Sequence, residues 1–438
     1  MKPQLKNKTT RREFIATVAR TTAATAAITI SAGCAHVKTA PRGNTGRKRI
    51  ALIGTIVRKY SHAQHFVDRF LEGYGWRGQW HRPQMDLVSL YVDQFPAGDL
   101  SRDREKRFGA RIYPTVAEAL TLGGSKLAVD GVVLIGEHGR YPRNEKNQVL
   151  YPRHKFFREA VDVFEASGHA VPMFQDKHLS TRWDECVAQV ETSRRLGFPY
   201  LAGSSLPVTW RIPSIEMPLG TPLLESVSVC YGGVDSYDFH GIETAQCMSE
   251  RRAGGEAGVK SVHAVRRENV WKIIAERPDT QRLLMAALAR SHSLRSASEG
   301  YTFPVLTLDW IQRASPLVIA YFIEHNDGLR TTMFLFNGAV RDFTYAGLTR
   351  EGKIISCQMY LPMPPAISTT ADFFNPLVHH IEQMVLQNRA PYPIERTLLT
   401  SGVTLNAVES LHRGQVKLDT PELRVVYEAP AQSTFWRS

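Results

Sequence analysis

Residues 49–54 read RIALIG and residues 131–135 read GVVLI, and both are short apolar runs that predict strands. Short, continuous apolar runs bounded by turn residues are typical of strands that are buried on both faces. Residues 63–74 follow the first run with helical spacing, since Phe66 and Phe70 lie four positions apart on one face. A buried strand followed by an amphipathic helix is the repeating unit of a parallel, doubly wound sheet.

The same alternation continues along the first half of the chain. Further strands are predicted at 86–92, 112–113, 170–174 and 200–203. Further helices are predicted at 103–108, 115–122, 155–167 and 183–196. The sequence therefore predicts a Rossmann-like α/β domain over residues 49–215.

After about residue 220 the pattern changes to strand-like runs that are separated by turns. These runs are 225–229, 318–324, 331–336 and 354–360. Asp327-Gly328 and Asn337-Gly338 are dipeptides that favour tight hairpins between neighbouring strands. Residues 216–438 are therefore predicted to form an α+β domain with a mostly antiparallel sheet and a few helices.

Residues 1–33 have the parts of an export signal. Arg11-Arg12 followed by Phe14 is the pattern that the twin-arginine translocase reads, which makes the translocase a predicted partner during export. A weakly apolar stretch at 16–30 comes next and is too short to span a bilayer stably.

The leader ends in Ser-Ala-Gly before Cys34, which resembles a lipoprotein box. Ser31 departs from that pattern, since a larger aliphatic residue usually stands three positions before the cysteine. We expect a lipid anchor on Cys34, a tether over residues 34–48, and a location in the periplasm or on the outer cell surface. Cleavage nearby by a soluble signal peptidase is the alternative, in which Cys34 is incidental.

The composition is that of an ordinary soluble globular protein, with 43% hydrophobic and 22% charged residues. Six basic residues and one acidic residue in the leader account for five of the twelve net positive charges, which leaves about +7 on the mature chain. No recognition motif accompanies this charge, so no nucleic-acid partner is predicted. The five cysteines form no CxxC pair, so the sequence supports neither a zinc site nor a thioredoxin-like motif, and no metal is assigned.

Four landmarks along the chain occur in a recognisable order. They are Ile53-Gly54 with His62-Ala63, Ile112-Tyr113-Pro114-Thr115, Asp176-Lys177-His178, and Gly232-Gly233 with His240 and Glu243. Their order and spacing resemble the family of glucose–fructose oxidoreductase and inositol dehydrogenase (Gfo/Idh/MocA) over about residues 48–430. The resemblance implies an oxidoreductase that acts on a carbohydrate with NAD or NADP, and an oligomer is left open.

The nucleotide-binding turn departs from the family pattern. Family members use GxGxxG so that the backbone can approach a pyrophosphate, but Ile56 and Lys59 stand where the second and third glycines belong. Such a turn weakens dinucleotide binding without excluding it, because Arg58 and Lys59 can contact a phosphate with their side chains. The residues assigned to the cofactor are Gly54, Thr55, Arg58, Lys59, Asp93, Glu137 and His138.

Two of these residue groups have alternative interpretations. Asp93 follows the second strand, where a carboxylate can hold ribose hydroxyls or simply cap the next helix. Glu137 and His138 follow a predicted central strand, where they contact a polar ligand or are exposed to solvent. The Arg- and Tyr-rich segment 140–153 is an insertion that can cover the cleft.

Lys177 is the leading catalytic candidate, since it follows a parallel strand and can donate a proton to a sugar oxygen. The resemblance adds His240 as a general base, with Asp235 or Asp238 as its orienting partner because Ser236 replaces the family's aspartate. The same cluster can also bind a divalent metal. Lys177 as a surface lysine and His240 as a structural histidine are the alternatives.

Trp210 and Arg211 are predicted to contact a sugar ring near the same cleft, with interdomain packing as the alternative. His379 and His380 lie on a late predicted helix and are interpreted as surface residues rather than ligands.

Three hypotheses about function follow. The first is an exported oxidoreductase for a sugar or sugar derivative with a nicotinamide cofactor. The second is a dinucleotide-independent hydrolase or lyase for glycosides, and the third is a non-catalytic sugar-binding lipoprotein on the same fold. The incomplete glycine pattern favours the last two, whereas Lys177 and His240 favour the first two.

Overall fold

A computed structural model describes residues 46–294, 307–364 and 370–436. The predicted signal peptide and Cys34 lie outside these ranges. Within them, no helix is both long enough and apolar enough to cross a membrane.

The first half of the chain forms a six-stranded sheet in which every neighbouring pair is parallel. The strands of this half, including the small separate hairpin of β2 and β3, are β1 (Lys48–Gly54), β2 (Tyr74–Trp76), β3 (Gln79–His81), β4 (Met85–Val92), β5 (Arg111–Tyr113), β6 (Gly131–Ile135), β7 (Met173–Asp176) and β8 (Tyr200–Gly203). The order in the sheet is β5-β4-β1-β6-β7-β8, which confirms the predicted doubly wound arrangement.

Five helices connect these strands: α1 (His62–Glu72), α2 (Ser101–Phe108), α3 (Val116–Thr121), α4 (Arg153–Ser167) and α5 (Trp183–Leu196). Helix α1 begins at Ser61, whose side chain accepts a hydrogen bond from the Gln64 backbone N–H. Its start packs closely on β1, since a Cβ on Gly54 would lie 3.4 Å from the Ala63 Cβ. Close packing at this point places the beginning of α1 beside the end of β1.

The second half forms an eight-stranded sheet in the order β16-β11-β12-β13-β10-β14-β15-β9. These strands are β9 (Arg211–Ile212), β10 (Leu223–Cys230), β11 (Val259–Arg266), β12 (Ile319–His325), β13 (Arg330–Leu335), β14 (Phe343–Thr349), β15 (Ile354–Met359) and β16 (Leu418–Asp419). All neighbours are antiparallel except β10 and β13, so the predicted mostly antiparallel sheet is confirmed. The boundary at residues 215 and 216 stays a prediction, and β9 precedes it while pairing with this sheet.

The helices of the second half are α6 (Tyr237–Ser249), α7 (Glu268–Ala275), α8 (Pro278–Leu288), α9 (Leu308–Ala314), α10 (Asn375–Gln387) and α11 (Glu395–His412). Helix α6 packs against β10, where a Cβ on Gly241 would meet the Cys230 Sγ at 2.5 Å. Helix α11 contacts α5, α6 and β11, and thereby connects the packing of the two sheets. Helix α8 packs against β10, β14 and β15, and a second apolar cluster lies among these elements.

One local prediction is wrong, and one predicted strand begins later than expected. Asn337-Gly338 does not form a hairpin, because the strands on either side of it, β13 and β14, both pair with β10 and not with each other. The Asn337 side chain instead bonds to the backbone N–H and C=O of Gly232 at 2.8 and 2.9 Å. The strand predicted at 170–174 begins only at Met173, after Pro172.

Candidate functional site

The carboxyl ends of the parallel strands bring most of the predicted site residues together. In register, Gly54 pairs with both Val92 and Ile135, and Asp176 pairs with Gly203, so these strands end at one edge. Ligands of doubly wound sheets bind at this edge. The residues that follow the strand ends therefore form the candidate site.

Lys177 directly follows β7 and is buried rather than directed to solvent. Its backbone takes the left-handed conformation, with φ of 64°, and its N–H donates to the Gly203 carbonyl at 3.1 Å. The ammonium Nζ lies 3.2 Å from Glu137 Oε1. Burial favours the neutral amine, but Glu137 and then Asp176 outweigh it and raise the pKa of Lys177. The lysine is therefore a fixed cation at the sheet edge.

Glu137 is the centre of a buried charge network. Its other carboxylate oxygen, Oε2, accepts a hydrogen bond from Arg153 at 2.8 Å. Burial favours the protonated acid, but Lys177 and Arg153 hold the pKa of Glu137 well below its usual value. The network extends through His178, 2.9 Å from Arg153, to Asp235, whose Oδ1 lies 3.7 Å from the His178 Nε2. Asp235 therefore belongs to the cluster around Lys177.

A histidine pair lies beside Asp176, the neighbour of Lys177 in the chain. The His62 Nδ1 lies 2.7 Å from Asp176 Oδ2, and the rings of His62 and His138 meet edge to face at 5.2 Å. Burial, followed by the proximity of His62, lowers the pKa of His138 to about 3. His138 Nε2 and Asp176 Oδ1 are buried without a hydrogen-bond partner among the described residues. Buried polar atoms are rarely left unsatisfied, so these atoms indicate where a polar ligand or water binds.

His240 is held by residues other than the predicted aspartates. Its Nδ1 lies 2.9 Å from Ser204 Oγ, and the Ser204 hydroxyl in turn donates to Glu243 Oε2. Burial raises the pKa of Glu243 to about 7. When Glu243 is ionised, the serine proton points to it, so His240 Nδ1 must be the donor to Ser204 and Nε2 carries the lone pair.

Asp238 does not orient His240. Its carboxylate accepts hydrogen bonds from the backbone N–H groups of Asp235, Ser236 and Phe239, and from the Tyr321 hydroxyl at 2.8 Å. It therefore fixes the start of α6. The environment of His240 still includes the candidate cluster, because burial and then the Lys177 charge hold the pKa of His240 well below its usual value.

The turn after β1 is held by backbone hydrogen bonds to the segment that follows β4. The chain continues beside the exit of β4, since Thr55 accepts from the Gln94 N–H at 2.9 Å and Val57 accepts from the Leu100 N–H at 2.7 Å. The Thr55 hydroxyl donates to the Glu137 carbonyl. Helix α1 starts only at His62, so seven residues separate it from β1.

Asp93 is already engaged by two tyrosines. Tyr91 donates to Oδ1 at 2.8 Å and Tyr141 donates to Oδ2 at 2.7 Å. The second contact brings the inserted segment 140–153 over the end of β4. Further contacts hold this segment: Gln148 donates to Asp235 at 3.0 Å, and Lys146 pairs with Glu409 of α11. The segment therefore covers the carboxyl edge, as predicted for a covering insertion.

A nicotinamide dinucleotide fits these residues only in part. Arg58 and Lys59 are exposed beside the start of α1, where they and the first helical N–H groups match a pyrophosphate. Asp93, the predicted ribose ligand, already accepts hydrogen bonds from Tyr91 and Tyr141. A ribose at Asp93 would compete with the Tyr141 hydroxyl for this carboxylate, and phosphates would be contacted by the Arg58 and Lys59 side chains.

The structure places Trp210 and Arg211 away from the candidate cluster. Trp210 lines a separate cavity of about 830 Å³, whose walls also contain Trp76, Trp80 and Trp436 and none of the residues around Lys177. Arg211 is buried, lies 3.3 Å from Glu216 and covers the Phe435 ring. Neither residue therefore shares a site with Lys177, and Arg211 serves packing.

Sequence reasoning did not assign Arg153 or Asp176 to the site. Arg153 lies in the first turn of α4 and contacts Glu137 from there. No local sequence pattern predicts this contact. Asp176 had a usable signal, since it is the neighbour of Lys177 and ends the same strand. His379 and His380, interpreted as surface residues, are both half-buried.

No protein-family profile and no curated protein sequence matches the chain. Solved structures do match its fold. GenD2 from gentamicin A biosynthesis, in complex with NAD, superposes with a TM-score of 0.53 at 12% identity over 87% of this chain and 99% of that chain. Myo-inositol dehydrogenase from Lactobacillus casei, in complex with NAD(H) and myo-inositol, gives 0.52 at 10% identity over 89% and 99%.

A probable dehydrogenase from Thermotoga maritima gives a TM-score of 0.51 at 12% identity over 86% of this chain and 99% of that chain. Identities this low establish shared architecture and not shared chemistry. Nearly the whole length of each of these proteins is matched. The chain therefore has the two-sheet fold of these dehydrogenases.

Proposed function

We propose that the protein is an exported oxidoreductase of the Gfo/Idh/MocA type, which interconverts a carbinol and a carbonyl of a sugar or cyclitol with NAD or NADP. The observation that carries the proposal is Lys177, a buried cation at the carboxyl edge of the dehydrogenase fold. Unsatisfied atoms of His138 and Asp176 beside it support a polar ligand at this edge.

The protein's own groups suit the proton part of this reaction. The Lys177 ammonium can donate a hydrogen bond to the substrate oxygen, and it stays charged because Glu137 and Asp176 raise its pKa. His240, with its proton on Nδ1, offers Nε2 as the base for the hydroxyl proton. A bound nicotinamide would supply the hydride chemistry.

The first experiment asks whether the mature protein, purified from its native host, carries a nicotinamide dinucleotide. Mass spectrometry of the denatured supernatant and titration of the emptied protein with NAD and NADP are the measurements. The expected result is a stoichiometric dinucleotide or saturable binding of one of the two. Absence of both contradicts the proposal.

A second candidate function is dinucleotide-independent lyase or hydrolase chemistry on a glycoside. The occupied Asp93 and the seven-residue turn after β1 favour it, because both remove contacts that a dinucleotide normally uses. His240 would then remove and return a proton beside a carbonyl, while the Lys177 ammonium would stabilise the negative charge on the carbonyl oxygen. Turnover of a keto-glycoside by protein proven free of dinucleotide would select this function over the first.

Export and membrane anchoring form the remaining part of the proposal. Arg11-Arg12 and Cys34 support twin-arginine export and lipid attachment at the periplasmic or outer surface. Export in the folded state suits an oxidoreductase whose cofactor must be loaded in the cytoplasm.

A further inference from the structure

Three side chains bring potential metal ligands together near the amino-terminal edge of the first sheet, away from Lys177. They are His81 at the end of β3, and His379 and Glu382 on α10. The three donor atoms all lie within 4.8 Å of one another. The His81 Nε2 is 2.7 Å from Glu382 Oε2, and the His379 Nδ1 is 3.9 Å from the same oxygen.

Local structure aims these side chains at one point. His379 and Glu382 are three residues apart on α10 and therefore share a helix face. The His379 ring stacks on Trp76 of β2 with centroids 4.3 Å apart, and the His81 ring meets Tyr74 edge to face at 5.1 Å. Both histidines are thus oriented by the β2–β3 hairpin.

The Glu382 carboxylate is fully buried. Its Oε1 accepts the Gln84 backbone N–H at 2.7 Å, and the Tyr74 hydroxyl lies 3.4 Å from Oε2. Across the described ranges, no lysine or arginine forms an ion pair with Glu382. Burial of a carboxylate is unfavourable unless a cation or a metal compensates it.

His379 supplies a second and independent observation. Its Nδ1 is buried and has no hydrogen-bond partner among the described residues. The lone pair of a neutral imidazole at this position is therefore available, and it lies on the side of Glu382.

We propose that His81, His379 and Glu382 bind a divalent transition-metal ion of the zinc class. Two imidazoles and one carboxylate are a common ligand set for such ions, and three protein ligands leave a position for water. Metal–ligand bonds of about 2.0–2.2 Å place tetrahedral ligand atoms about 3.3–3.5 Å apart. The 2.7 Å contact must therefore widen and the 3.9 Å contact must shorten, each by less than about 1 Å. His81 Nε2 binds the ion as the unprotonated atom.

The test uses the mature chain freed of metal with a chelator, and titrates it with Zn²⁺ and Co²⁺. We expect one high-affinity Zn²⁺ site, visible d–d absorption of the Co²⁺ protein, and a higher melting temperature with Zn²⁺. His379→Phe keeps a ring on Trp76 and Glu382→Gln keeps the shape of the side chain. Each should weaken Zn²⁺ binding by more than about 100-fold, because even outer-shell changes reduce metal affinity by 10–100-fold.

His169→Ala is the matched control, since His169 is an exposed histidine outside the cluster. It should leave the affinity unchanged. The metal-free His379→Phe protein should melt close to the parent, because the lost Nδ1 has no hydrogen bond. Equal Zn²⁺ affinity of the parent and of either ligand variant, or no specific binding to the parent, overturns the proposal.

Discussion

At the scale of single residues, His240 shows how a partner distant in sequence sets the state of a candidate base. Its orienting group is Ser204, which follows β8, and not an aspartate of its own segment. The Ser204 hydroxyl in turn donates a hydrogen bond to Glu243, which lies one turn after His240 on α6. The tautomer that leaves Nε2 free requires the ionised form of Glu243. The titration of Glu243 therefore links the site to pH.

Glu243 should make stability depend on pH in a defined direction. Its folded pKa of about 7 exceeds the unfolded value of 4.5, so the folded state holds the proton more tightly. This contribution is complete below pH 4.5 and is lost as pH rises to about 7, by about 3 kcal/mol in all. The Glu243→Gln variant lacks this pH-dependent contribution to stability. We compare the free energies of unfolding of both proteins in urea from pH 4.5 to 8. The free energy of unfolding of the variant should rise relative to that of the parent as pH rises. A difference that stays constant with pH would disprove the assignment.

Lys177 and His240 should act on one substrate. Lys177→Ala and His240→Ala are each expected to reduce kcat by about 10²–10⁴-fold, the usual contribution of a general acid or base. Because both groups serve the same step, the double variant should lose much less than the product of the two losses. Circular dichroism must show that each variant is folded. Fully multiplicative losses would mean that the two residues do not share a step.

Among the larger elements, the inserted segment 140–153 controls access to the carboxyl edge of the first sheet. Tyr141→Phe removes the hydroxyl that occupies Asp93 and frees its carboxylate for a ribose. A gain of about tenfold in NAD or NADP affinity is expected, which corresponds to about 1.4 kcal/mol. Calorimetric titration of the parent and the variant with NAD and NADP measures these affinities.

Tyr151→Phe is the control for the Tyr141 variant. It changes a tyrosine of the same segment, whose ring meets Tyr141 at 5.5 Å, and leaves the hydroxyl at Asp93 in place. Its affinity should match that of the parent. Weaker dinucleotide binding by Tyr141→Phe would mean that the Tyr141 hydroxyl supports the ligand and does not compete with it.

The elements that sequence predicted well are those whose pattern is local. Helix 183–196 and strand 200–203 have the predicted bounds, because helical spacing and a short apolar run each specify one structure. The parallel pairing of β10 with β13 joins strands about 100 residues apart, and no local pattern encodes it. Asn337-Gly338 is likewise a dipeptide that favours a hairpin, but no hairpin forms there. The Asn337 side chain bonds to Gly232, and the strands on either side of the dipeptide both pair with β10.

The residues of the candidate site likewise fall into two groups, those that the sequence predicted and those that it did not. Lys177 and Glu137 were predictable from their positions after recognisable strands of the parallel sheet. Lys177 directly follows one strand, and Glu137 is the second residue after the end of another. Arg153 was not, since its contact with Glu137 depends on how α4 begins. The partner of His240 was not predictable either, because Ser204 comes from another sheet. Position along a strand can be read from sequence, whereas side-chain partners across elements require the fold.

At the scale of the whole molecule, we expect export to depend on receptor recognition of the paired arginines. Changing Arg11 and Arg12 together to lysine keeps the charge of the leader and should abolish export. Cell fractionation with immunodetection measures the fraction of the protein that is exported. A single Lys8→Arg change, which also keeps the charge, is the control and should be exported normally. Unchanged export of the double variant would point to the general secretion route.

The anchor at Cys34 should hold the mature protein by burial of lipid chains and not by charge. The mature chain carries about +7 net charges, and basic surfaces are attracted to anionic headgroups, so both sources of binding must be separated. Cys34→Ser should move the protein from the membrane pellet to the soluble fraction at low and high salt alike, because the change removes the lipid chains that hold the parent. Binding through charge would instead weaken with added salt, since charges are screened beyond about 10 Å at 0.1 M salt. The parent should stay in the pellet through a high-salt wash, since apolar burial of acyl chains does not weaken with salt. A Cys34→Ser protein that pellets at low salt and is released only by salt would show that surface charge holds the protein at the membrane.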